Sequence, residues 1–155
     1  METIVSKKTW RVAKLHFVTA GVMALSIVGL LIGIFSEYFF VYTGPTEEFQ
    51  GLGHGIAAAL SIIGMIISMS AMLLTIPAFL FSGKKLKRQA MGELPSKKSF
   101  VITLVAKTIT FFLIALPLLI LFSLENGWLA AVIHIVVLAF SLASSLLEAY
   151  VRRKP

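Results

Sequence analysis

Four long apolar stretches, at about 15–42, 51–81, 100–122 and 128–150, constrain the fold more than any other feature of the chain. An α-helix needs roughly 20 apolar residues to cross a hydrocarbon layer of about 30 Å, and each stretch exceeds that. No water is available in lipid to satisfy backbone N–H and C=O groups, so segments of this kind must be helical. Composition agrees. With 58% hydrophobic and 14% charged residues the chain is more apolar than a soluble domain of its size. The sequence therefore predicts an all-α fold, a transmembrane four-helix bundle in which residues 1–155 form a single membrane domain.

The basic residues predict its orientation. Thirteen of the fourteen lie before the first stretch (Lys7, Lys8, Arg11, Lys14), between the second and third (Lys84, Lys85, Lys87, Arg88, Lys97, Lys98) or after the fourth (Arg152, Arg153, Lys154). The first and third connections carry none. Because Lys and Arg are retained on the cytoplasmic side, the N-terminus, the loop 82–99 and the C-terminus are all expected there, in a multi-pass protein of the cell membrane. Trp10 and Tyr150 fall at the inner boundary, and Tyr38, Tyr42 and Trp128 at the outer one, where amphipathic rings prefer to sit. The basic start of the chain precedes an apolar run too long for a signal peptide and without its cleavage pattern, so it reads as a retained first span. Pro77 and Pro117 fall inside spans two and three, where kinks are expected.

Small residues should mark the faces where helices meet, since close packing and hydrogen bonds, rather than hydrophobicity, drive association in lipid. Gly29 and Gly33 form a GxxxG in span one; Ala58, Ser61, Gly64 and Ser68 follow His54 along span two; and His134, Ser141, Ser145 and Glu148 share a face of span four. Ionisable groups among them are costly in a membrane and carry a functional expectation. At 1.5 Å per residue, Glu37, His54 and His134 fall within about 10 Å of the outer boundary. Such a set is a candidate metal or proton cluster, opening toward Glu47, Glu48 and Glu125 in loops without a cation. The bland alternative is that His54 caps a helix while Glu37 and His134 bond to neighbouring helices. Lys107 lies about 12 Å into span three and is expected to form a structural ion pair with Glu148. His16, beside Arg11 and Lys14, reads as an interfacial residue.

Three functions fit these features. The first is a non-catalytic subunit or accessory component of a larger membrane assembly, in a homo-oligomer or with other membrane subunits. Its basic loop would meet anionic lipid, and its excess of positive charge reflects topology, with no nucleic acid as partner. The second is a proton or cation transport component using Glu37, His54 and His134. The third is a b-type cytochrome with His54 and His134 as haem ligands; no cofactor is expected under the other two. The chain has no cysteine, no aspartate, no nucleophile elbow, no zinc-protease motif and no phosphate loop, so an enzyme is not expected.

Gly44-Pro45 with Phe49-Gln50-Gly51 resembles the proline, glycine and Phe-Gln-Gly segment between spans in a small subunit of multisubunit cation/proton antiporters. The resemblance covers fewer than ten residues, and Thr46, Glu47 and Glu48 replace that family's glycine run. It implies an antiporter-subunit form of the transport reading.

Overall fold

The computed structural model describes residues 2–38, 48–93, 97–121 and 126–153. They form helices α1 (Glu2–Phe35), α2 (Glu48–Ala90), α3 (Lys97–Ala115), the short α4 (Leu118–Leu121) and α5 (Gly127–Arg153), with no strand among the described residues. Four of the segments, Lys7–Phe35, Gly51–Ala90, Phe100–Leu121 and Gly127–Arg152, are long and apolar enough to cross a membrane. Each is alternately buried and exposed along its length, and large apolar side chains such as Leu25, Leu74, Phe112 and Leu146 point outward. Water would oppose so much exposed apolar surface; lipid accepts it. The chain is a polytopic helical membrane protein.

The helices pack in a square: α1 against α2 and α5, and α3 against α2 and α5. Met23, Met65, Met72, Phe79 and Ile114 fill the centre. Unbranched methionines suit it, because they fill irregular gaps between rods with little strain.

Several boundaries differ from the sequence expectation. Span one was expected to run to Tyr42, but α1 ends at Phe35. The amide of Ser36 still bonds to the carbonyl of Ile32, that of Glu37 tightens onto Ile34, and Glu37 turns left-handed with φ of 57°. Such a residue ends a helix, as glycine more often does. Residues 39–42 lie outside the described residues. The opposite error occurs at the basic loop, where residues 82–90 continue α2. Leu, Lys, Arg and Gln are strong helix formers, and Lys87 and Arg88 oppose the negative end of the helix dipole. The helix stops only at Gly92, whose φ of 99° suits the residue that lacks a Cβ.

The two prolines behave differently. Pro77 is accommodated within continuous α2, whereas Pro117 separates α3 from α4. The cause of that break is partly a contact. A Cβ on Gly64 would stand 2.9 Å from Cβ of Pro117 and 3.5 Å from its Cα, so α2 meets the proline backbone where only glycine fits. At Gly29 of the GxxxG pair the fit is looser, since an added Cβ would lie 3.7 Å from the Ile133 methyl of α5, an ordinary contact.

Helix α2 also begins ahead of its buried positions. Residues 51–60 include none that is buried, and the first buried position is Ser61. Ahead of the contact between Gly64 and Pro117 the packing of α2 is partial, with His54, Ala57 and Ala58 half-buried. There Leu52, Ile56 and Leu60 are exposed.

Gly64→Val is expected to lower stability by about 1–3 kcal/mol, the usual range for forced overpacking, read as a lower thermal midpoint in detergent. Gly21→Ala, at a helical position with open space around it, should leave the midpoint unchanged or raise it.

Candidate functional site: a buried ion network

The groups most costly to place in lipid have been gathered at the basic end of the bundle. Glu148, 1% exposed, projects inward from α5. One carboxylate oxygen, Oε2, accepts hydrogen bonds from Lys107 Nζ of α3 at 2.7 Å and lies 3.0 Å from His16 Nε2 of α1. The other, Oε1, accepts from Arg152 one turn on, with Nη2 at 3.0 Å and Nε at 3.1 Å. Lys107 Nζ also donates to Ser82 Oγ of α2 at 2.9 Å and lies 4.6 Å from the centre of the Phe79 ring. Arg152 in turn covers Phe100 of α3 at 4.9 Å. All four spans therefore contribute to one network. Fully paired, a buried charge is tolerable; remove one partner and the remainder is a buried, uncompensated charge.

Local structure explains how each group arrives. On α1 the inward face is Thr9, Val12, Ala13, His16, Thr19, Ala20 and Met23, a spacing of three and four that places His16 on the packed stripe. Glu148 and Arg152 are four apart on α5, so their side chains meet on one face. Ser82 lies on the part of α2 that continues past the expected span, and the neighbouring Gly83 lets α1 approach. A Cβ there would meet Phe17 at 3.1 Å.

The hydrogen bonds of His16 depend on where its ring carries protons. Its Nδ1 is 2.9 Å from the carbonyl oxygen of Val12, which can only accept, and its Nε2 faces the Glu148 carboxyl. A neutral ring that gives its one N–H to Val12 would turn a lone pair toward the carboxylate. The contact is a hydrogen bond when Nε2 carries a proton and donates it to Oε2, the oxygen that Lys107 also meets. His134 differs. Its Nδ1 is 2.7 Å from the Ala130 carbonyl and its Nε2 2.8 Å from Ser68 Oγ, whose one hydrogen also has the Met65 carbonyl within 2.9 Å, so a neutral ring is satisfied on both sides when that hydrogen turns to Nε2.

The outer cluster does not assemble. Glu37 is exposed beyond the end of α1, and His54 is half-buried in the second turn of α2. His134 is buried opposite Ser68, fourteen positions beyond His54 on the same helix, or about 21 Å at 1.5 Å per residue. No three His or Glu side chains come together as a metal-binding group among the described residues. The same displacement separates His54 from His134 as facing haem ligands. Counting inward from the ends of the apolar stretches gives the three residues a common depth, but the Ser68 contact sets His134 far along α2 from His54.

Lys107 and Glu148 are brought together, and His16 is not an interfacial residue as expected but completely buried. His16, Ser82 and Arg152 are the members that sequence reasoning missed. The small and polar stripe of α1 carried the signal for His16; basic neighbours at positions 11 and 14 obscured it.

Further polar contacts join the helices, one buried and one at the exposed outer end. Thr75 of α2 and Thr110 of α3 share a hydrogen bond, and Asn126 Nδ2 donates to the Tyr38 carbonyl at 3.1 Å, tying the outer end of α1 to the start of α5. Beside the ion network, a cavity of about 160 Å³ between α3 and α5 is lined by Lys107, Thr108, Phe111, Ser141 and Ser145. At about 30 Å³ per molecule it has room for a few waters.

Comparison of the chain with protein-family models, with curated proteins and with solved structures returns no match.

Glu148→Gln should destabilise the bundle by about 3 kcal/mol, because the charges of Lys107 and Arg152 stay buried after their counter-charge is removed. Adding Lys107→Met should recover part of that loss. Additive losses in a double-mutant cycle of thermal or denaturant stability would show that the two residues do not interact.

Proposed function

We propose that this chain is a non-catalytic component of a larger membrane assembly, a rigid four-span unit of the cell membrane with its basic end in the cytoplasm. The observation that carries this reading is the apolar face of Leu52, Ile56 and Leu60 on α2, exposed along residues 51–60 where no side chain is buried. A membrane partner, or a second copy, would bury that surface. The ion network supports the same reading: its charged groups bond to one another across α1, α3 and α5 and reach α2 through Ser82, which fixes helix register. The distribution of basic residues supports the orientation.

In native nanodiscs the protein is expected in a species of defined stoichiometry larger than 16.9 kDa. Ile56→Trp with Leu60→Trp, both at exposed positions, should disrupt that species while leaving the thermal midpoint in place. A monomer of unchanged mass in both forms would overturn the proposal.

A second reading, a proton transport component, is favoured by one arrangement. The hydrogen bond between His16 and Glu148 adjoins Lys107, which lines the cavity between α3 and α5. Under this reading the relay lies at the basic end, not at the expected Glu37, His54 and His134. Proteoliposomes loaded with a pH-sensitive dye should then show proton flux that Glu148→Gln abolishes; equal flux from wild type, variant and empty vesicles counts against it.

A further inference from the structure

A second cluster of charge lies outside the ion network, in the groove between the first turns of α1 and the last turn of α2. A cavity of about 280 Å³ there is lined by Lys7, Trp10, Arg11 and Lys14 of α1, with Ala90 and Met91 closing it from the α2 side. The α1 residues recur at intervals of three and four, hence on one helix face. Lys87 of α2 adds a fourth cation, its Nζ 5.2 Å from the centre of the Trp10 ring, while Lys14 Nζ lies 5.9 Å from the same ring. One indole thus attracts two ammonium groups that repel each other.

Among the described residues no ion pair with a carboxylate engages them. The ion pairs there are those of Glu148 with His16, Lys107 and Arg152, and of Arg88 with Glu93; none includes Lys7, Arg11, Lys14 or Lys87. The remaining negative element is the C-terminus of α2, and its carbonyls are partly used. The Arg88 carbonyl accepts from the amides of Met91 and Glu93, and that of Gln89 from Gly92. Four full positive charges outweigh the roughly half charge of a helix end. The concavity is therefore cationic among the described residues.

We propose that this groove binds the headgroup of a phospholipid carrying two phosphate charges. This rests on the membrane reading of the chain but not on any assembly or transport role. The depth is right for such a ligand: Trp10, 36% exposed, is an interfacial aromatic next to the first apolar turns, with Phe17 exposed two turns further in beside the acyl region. Arg11 supplies a planar fork for one phosphate, and the lysines supply point charges for the other. The site differs from the expected diffuse attraction of the loop 82–99, since Lys84 and Lys85 of that segment do not line the cavity.

The test is native mass spectrometry of the detergent-purified protein titrated with cardiolipin, phosphatidylglycerol, phosphatidylcholine or inorganic phosphate. Cardiolipin should be retained best. Arg11→Gln with Lys14→Gln should weaken it by about tenfold or more, at roughly the contribution of a basic residue near an anionic surface. The charge-matched control, Lys8→Gln with Lys84→Gln, should change it less than threefold. Lys7→Gln with Lys14→Gln serves as the second site variant should the first lower the thermal midpoint. Equal losses in site and control variants would reduce the groove to general surface charge and overturn the proposal. Inorganic phosphate bound as tightly as cardiolipin would also overturn it, by assigning the groove to a soluble anion. Loss of any larger assembly with lipid retention unchanged would leave this site standing and sink the assembly reading alone.

Discussion

A carboxylate in hydrocarbon must find every hydrogen bond it needs within the protein, and this demand at Glu148 organises the bundle. The carboxylate sits near the basic end of α5 and draws one donor from each of α1 and α3, with a further cation from its own helix. Lys107 then fixes α2 through Ser82. Apolar packing alone sets helix register weakly in lipid, because leucine is as comfortable against an acyl chain as against another leucine. A set of charges that is satisfied in one arrangement supplies what packing lacks.

Polar contacts are graded along the bundle. The strongest, ionic group lies at the basic end, the Thr75–Thr110 hydrogen bond further in, and the neutral Ser68–His134 bond toward the outer end. Methionines and small residues occupy the levels between. Such a distribution makes the basic half the more firmly specified part. The outer half relies on the fit of Gly64 against Pro117, on the Ser68–His134 bond and on a side-chain bond from Asn126 to the end of α1.

The number of spans and their approximate cores were legible in the sequence, because hydrocarbon thickness translates directly into residues of helix. The pairing partner of Lys107 was legible too, since a tight connection makes spans three and four neighbours and Glu148 falls at a matching depth. The helix ends were not. Basic residues were read as a loop when their helix propensity carried α2 onward to Ala90, and the aromatic run after Phe35 was read as helix although the chain turns at Glu37. Depth assignments inherit such errors. Glu37, His54 and His134 were aligned by counting inward from the ends of the apolar stretches, while His16 was judged by its basic neighbours rather than by its own helix face.

The apolar length of α2 carries a consequence for where the molecule can reside. Its run from 51 to 81 is about 46 Å of helix, against a hydrocarbon slab of about 30 Å. Leaning alone would require an angle near 50°, beyond the range of about 0–40° seen for membrane helices. Helix α2 is also bonded to three shorter companions that cannot lean so far with it. A thicker, more ordered bilayer shelters more of this surplus and a thin one leaves it in water, so bilayer thickness itself biases which membrane retains the chain.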